Sequence, residues 1–119
     1  MEYWGYHLIL DCKNGALEQV KSVDNIKRFV EVLVKEIDMV ASGEPTIKHF
    51  ATHNEDAAGY SLVQLIETSS ITGHFVDKNG DCYIDIFSCK YCDIETAKSV
   101  VNKYFSPKQI KVTYLTRQA

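Results

Sequence analysis

The sequence predicts an α+β fold: a two-layer α/β sandwich, with two helices covering one face of a mainly antiparallel sheet. Three observations predict it. Two segments carry apolar residues at helical spacing, short apolar or alternating runs fill most of the remainder, and the order along the chain is strand, helix, several strands, helix, strand. Residues 1–119 read as one domain without repeats, low-complexity tracts or long linkers.

The elements follow in order. Tyr6 to Cys12 reads as a strand at least half buried. Ile26, Phe29, Val30, Leu33, Val34, Ile37 and Val40 form the stripe of a one-sided helix, with Asp24 as its expected N-cap and Gly43 as its stop. Residues 46–52 form a second strand, and 53–59 a loop. Residues 60–67, 70–77 and 81–89 read as three more strands, the last two joined at Asn79-Gly80, a strong hairpin signal. Asp93 caps a second helix with Glu95 in its first turn and Ala97, Val100, Val101 and Tyr104 on one face. Pro107 follows its end, and Ile110, Val112 and Tyr114 alternate in a last strand.

Composition narrows the function. With 45% hydrophobic and 24% charged residues, a chain of 119 residues can bury its own core. A formal charge of −3 without a basic cluster argues against a nucleic-acid partner. No apolar run is long enough to span a membrane, and Met1-Glu2-Tyr3-Trp4 opens no signal peptide. Cys12, Cys82, Cys89 and Cys92 are therefore expected as free thiols in the cytoplasm.

If Asn79 and Gly80 are the two central turn residues, His74 faces Asp85, Thr72 faces Phe87 and Ser70 faces Cys89. One face then carries Ser70, Thr72, His74, Tyr83, Asp85, Phe87 and Cys89. The other carries Ile71, Gly73, Phe75, Cys82, Ile84 and Ile86 and should meet the helices. The first face gathers an imidazole, a carboxylate and a thiol. A solvent-facing sheet is polar in any case, so this face alone does not define a site.

Spacing adds a second signal. Ser61 lies eight residues before Ser69, His74 five after it, and Cys89, at the end of Asp85-Ile86-Phe87-Ser88-Cys89, fifteen beyond His74. These intervals, with the opening Gly5-Tyr6-His7-Leu8, resemble those of the bacterial and archaeal S-adenosylmethionine decarboxylases, over nearly the whole chain. The family's processing serine sits in a Glu-Ser-His-x-Ser-Ile-His stretch. Here Thr68 replaces its glutamate, Ser70 its first histidine, and Thr72-Gly73 its Ser-Ile.

The resemblance implies an S-adenosylmethionine decarboxylase-like fold and a carbon–carbon lyase that supplies decarboxylated S-adenosylmethionine for spermidine synthesis. It implies self-cleavage between Thr68 and Ser69, leaving a pyruvoyl cofactor derived from Ser69 that forms an imine with the substrate amine and drains electrons during loss of CO₂. By the same likeness His74 is the base for elimination, with Asp85 orienting its ring, Cys89 is the proton donor, and Ser61 supports processing. Glu67 is a further polar candidate near the cut, and Trp4, Tyr6 and Phe50 are candidates for holding the sulfonium and adenine. A homo-oligomer, dimer or trimer, with sites at the subunit interface is implied too, and an apolar patch of Tyr83 and Phe87 on the helix-free face calls for such cover.

Two other functions fit the same fold. One is an S-adenosylmethionine lyase like the virus-encoded relatives, which needs no cofactor because the substrate's own carboxylate displaces the sulfide. The other is a non-catalytic ligand-binding partner. The spacing of Ser69, His74 and Cys89 favours the decarboxylase, since a lyase has no use for it. No metal site is expected: Cys89-Lys90-Tyr91-Cys92 is a lone C-x-x-C, and His49 and His53 do not complete four ligands.

Overall fold

A computed structural model describes residues 2–119. Six strands and three helices follow in order: β1 (Gly5–Lys13), α1 (Leu17–Val20), α2 (Val23–Glu36), β2 (Thr46–Phe50), β3 (Gly59–Ile66), β4 (Ser69–Val76), β5 (Cys82–Ser88), α3 (Ile94–Phe105) and β6 (Gln109–Arg117). The strands form one sheet in the order β2-β3-β4-β5-β1-β6, every pairing antiparallel.

Strand alternation sorts the side chains. Leu8, Leu10 and Cys12 of β1, Leu62 of β3, Ile71 and Phe75 of β4, and Cys82, Ile84 and Ile86 of β5 are buried toward the helices. Ile26, Phe29, Val30, Leu33 and Val34 of α2 and Ala97, Val100, Val101, Tyr104 and Phe105 of α3 close the core from above. Phe29, Phe75 and Phe105 meet at its centre, with ring centroids 4.7 Å apart for Phe29–Phe105 and 4.9 Å for Phe75–Phe105. Full burial of each such ring contributes roughly 1.5–3 kcal/mol. Among the described residues no helix lies on the opposite face.

The helix ends differ from the expectation. Ser22, not Asp24, caps α2: its hydroxyl accepts from the backbone N–H of Asn25 at 3.1 Å. Asp24 lies in the first turn, where its charge favours the helix dipole instead. The helix stops at Glu36, well before Gly43, because Asp38 turns the chain at φ 59°, a left-handed conformation that aspartate tolerates. Ile37 stays buried past the helix end, whereas Val40 is 57% exposed. The short helix α1 has too few residues to show a period. Asp93 caps α3 as expected, accepting from Thr96 N at 3.0 Å.

The β4–β5 hairpin also corrects the expectation, by two residues. Val76 and Asp81 close a four-residue loop over 77–80, so His74 faces Tyr83 and Thr72 faces Asp85. Only Gly80 takes positive φ (81°). Two interactions favour this longer loop. The Asn79 side chain accepts from Asp81 N at 2.9 Å, and Gly80 O accepts from Gly15 N at 2.9 Å. The backbones approach so closely there that a Cβ on Gly80 would sit 2.1 Å from Gly15 O. A shift of two keeps side-chain parity, so the apolar and polar faces are those expected.

Candidate active site

The helix-free face has two chemically distinct ends. At one, β3 turns into β4 through Glu67 and Thr68, with Ile66 paired to Ser69. Ser69 takes φ 143°, a conformation that glycine adopts freely and an L-residue does not, at a cost of ~1–3 kcal/mol. A serine at such a position keeps its hydroxyl at the expense of backbone ease.

This tip is held from both sides. Glu67 N donates to Val40 O at 2.9 Å, and Ser42 N to Leu65 O at 2.8 Å, fixing the tip to the segment after α2. On the other side Cys89 N donates to Thr68 O at 2.9 Å. The buried Ser88 hydroxyl donates to Thr68 Oγ1 at 2.8 Å. The Thr68 hydroxyl in turn meets Met39 Sδ at 3.8 Å. Lys90 Nζ clips the two flanking segments together through Asp38 Oδ2 at 2.8 Å, and this ammonium holds the Asp38 carboxyl below the usual range. The carbonyl of the Thr68–Ser69 bond therefore already has a donor at the position where negative charge would develop under attack. Ser69 pairs with Ser88 and Ser70 with Phe87, so Cys89 does not face Ser70 as expected; it follows Ser88, half-buried, with its N–H on the Thr68 carbonyl.

At the other end, Ser61 of β3 and His74 of β4 are directly paired, and Ser61 Oγ lies 3.0 Å from His74 Nδ1. Phe50, at the end of β2 and 52% exposed, shares this end. Five residues of extended strand separate Ser69 from His74, about 17 Å at ~3.3 Å per residue. Within one protomer the two groups do not meet.

Asp85 does not orient His74. Its Oδ1 accepts from His7 Nε2 at 2.9 Å, across the β1–β5 pairing. The two-residue register shift takes Asp85 away from His74, and the pairing of β1 with β5 brings His7 to it. Tyr6, on the strand position that alternates with His7, points to the helix-bearing side, where it stacks on Tyr114 and meets Tyr91 edge-on. Trp4 lies on the open face, tilted 6.0 Å from Phe87. The Arg117 guanidinium covers the Phe87 ring at 5.1 Å. Trp4, Phe87 and Arg117 line a hollow of about 470 Å³ at the Ser69 end. Glu67 is exposed at the tip. Ser88 and the Cys89 backbone N–H escape a reading of the sequence, because parity makes Ser88 a helix-side strand residue and a backbone donor leaves no mark on residue type.

The other thiols are ordinary. Burial pushes Cys12 up to about 12 and Cys92 up to about 11, with Asp93 adding to the latter. No group of three or more potential metal ligands is gathered among the described residues. His49 is hydrogen-bonded to Asp77 at 2.6 Å.

The class the fold defines is a small α+β protein with one open sheet face, at one end of which a strained serine follows a carbonyl held by the Cys89 N–H. The chain belongs to the S-adenosylmethionine decarboxylase family, whose model matches residues 6–118. It is 29% identical over 92 residues to the S-adenosylmethionine decarboxylase proenzyme of Clostridium botulinum strain Loch Maree, covering 77% of this chain and 74% of that one. The proenzyme of strain Hall is 28% identical over the same length. The crystal structure of the adenosylmethionine decarboxylase from Aquifex aeolicus superposes with a TM-score of 0.81 at 20% identity, over 100% of this chain and 94% of that one.

Proposed function

We propose that this protein is a self-cleaving S-adenosylmethionine decarboxylase of the cytoplasm, active as a homo-oligomer whose sites combine residues of two protomers. The observation that carries the reading is the tip geometry: Ser69 at φ 143° after a carbonyl held by Cys89 N. The residues fit the pyruvoyl group, since its precursor must be a hydroxyl residue following a polarised carbonyl. Ser69 Oγ attacks the Thr68 carbonyl carbon, the hydroxyl proton passes to the departing Ser69 nitrogen, and an ester replaces the amide. A base then removes the Ser69 α-proton, the Cβ–Oγ bond breaks, and Thr68 leaves as a carboxylate. Water finally displaces ammonia. An ester oxygen leaves readily where an amide nitrogen does not, which is why a hydroxyl is needed. Once formed, the pyruvoyl group supplies an electron sink for loss of CO₂.

His74, held by Ser61, is the base, and Cys89 returns a proton to the substrate's α-carbon. Because His74 lies about 17 Å along the strand from Ser69, the partner subunit completes the site. Face-to-face packing of two sheets about a two-fold axis would bring one protomer's Ser61–His74 end to the other's Ser69–Cys89 end. The open face suits this packing: Phe50, Val63, Leu65, Tyr83 and Leu115 are 43–58% exposed there. Trp4 and Phe87 offer ring faces to the sulfonium and adenine. The free state of Cys12, Cys82, Cys89 and Cys92 suits a reducing compartment. Among the described residues no helix is long and apolar enough to cross a membrane.

The test is release of labelled CO₂ from carboxyl-labelled S-adenosylmethionine. The expected result is release that sodium borohydride abolishes and that Ser69→Ala lacks. Formation of methylthioadenosine without CO₂ would replace this reading with the lyase.

A further inference from the structure

The segment just before Cys89 holds a residue that the self-cleavage chemistry has not yet used. Ser88 is wholly buried at the end of β5, with its side chain on the helix-bearing side and away from the open face. A buried hydroxyl needs hydrogen-bond partners. This one takes one from its own segment and one from the hairpin tip: it accepts from Lys90 N at 3.0 Å and donates to Thr68 Oγ1 at 2.8 Å. Thr68 continues the chain to Met39 Sδ. The residue on the acyl side of the bond to be cut is thus gripped by its side chain, while its carbonyl is gripped by Cys89 N. Two anchors on one residue fix the peptide plane, which one anchor alone would leave free to rotate.

We propose that Ser88 is a positioning residue for self-cleavage: its hydroxyl, through that of Thr68, holds the Thr68 carbonyl against the Cys89 N–H, in the orientation that Ser69 Oγ must attack. This rests on the self-cleavage reading above. It also gives the Thr68 hydroxyl a use. A threonine hydroxyl is short enough to bond Ser88 at 2.8 Å and to turn its proton toward Met39. Small losses of orientation are costly in such reactions, since a displacement of ~1 Å can slow a step by about 100-fold.

The experiment follows conversion of the full chain into fragments 1–68 and 69–119 after cell-free synthesis. Ser88→Ala and Thr68→Val, which is isosteric and lacks only the hydroxyl, should each slow cleavage by about 10- to 100-fold. Thr68→Ser should stay within about threefold of the unaltered chain, because it keeps the hydroxyl. The double variant should be no slower than the slower single one, since the two hydroxyls act as one unit. Thr68→Val leaves the buried core intact, so it decides the matter even if Ser88→Ala folds poorly. Cleavage of Thr68→Val at the unaltered rate would overturn the proposal and leave the self-cleavage reading standing. An unaltered chain that never cleaves would overturn both.

Discussion

The two ends of the open sheet face are built on different principles. The Ser69 end is made of backbone: a strained φ, a carbonyl held by an N–H, and a tip tied to flanking segments by Glu67, Ser42 and Cys89 amides. The Ser61–His74 end is made of side chains on regular strand, with a single hydroxyl–imidazole contact and a largely exposed ring. Rigid anchoring suits a group that must be cut at one bond and stay in place afterwards. Regular strand suits groups that need only be presented to a neighbour. Each end lacks what the other has, which is the argument for an interfacial site.

The largest effect should come from separating the ends genetically. Ser69→Ala and His74→Ala should each lose activity by at least about 100-fold, the scale of a lost base or nucleophile. Co-expression of the two variants should restore part of it, because mixed oligomers contain one site with both residues intact. Failure of every mixture to recover CO₂ release would place His74 and Ser69 in one protomer's site. Next in size is a backbone lesion at the side-chain end. A Cβ on Gly59 would stand 1.8 Å from the Phe75 carbonyl, so Gly59→Ala should cost more than about 3 kcal/mol in denaturant unfolding and part β3 from β4 beside Ser61. A loss below about 1 kcal/mol would mean the pairing is looser than described.

A smaller effect tests the face itself. Leu65, 58% exposed beside the tip, should be covered in the oligomer. Leu65→Glu should shift light-scattering mass toward the monomer and reduce CO₂ release with little change in the thermal midpoint. An unchanged mass would move the interface elsewhere. The smallest effect concerns α3, which follows Cys89. The Thr96 hydroxyl and N–H hold the Asp93 carboxyl below its ordinary value. A depressed folded-state value means stability that is present above the ordinary aspartate range and lost as pH falls through the folded value. Asp93→Asn should therefore flatten the acid limb of a stability–pH curve, by a small lowering of the neutral plateau toward the acid value.

How far the sequence carried follows from the same contrast. Side-chain parity and helical stripes are periodic in residue type, so the two layers and the buried face of β4 and β5 could be read directly. Ser22 displaced Asp24 as cap because both residue types cap helices, and only the chain's path decides which N–H groups are left to accept from. The Asp85 partner was missed because β1 pairs with β5, far away in sequence, and His7 finds the carboxylate only in the folded sheet. The hairpin slipped by two because the Asn79 side chain and the distant Gly15 backbone N–H stabilise a longer loop, and the second of these leaves no local mark. The Ser69 strain and the Ser88–Thr68 link were invisible for a related reason: both are backbone or helix-side features at positions whose residue types look ordinary.

The most direct test of the account is the intact mass of freshly purified, untagged protein. Self-cleavage predicts two chains, residues 1–68 and residues 69–119, the second blocked at its N-terminus by a pyruvoyl group. A single uncleaved chain of 119 residues that still acts on S-adenosylmethionine would contradict it.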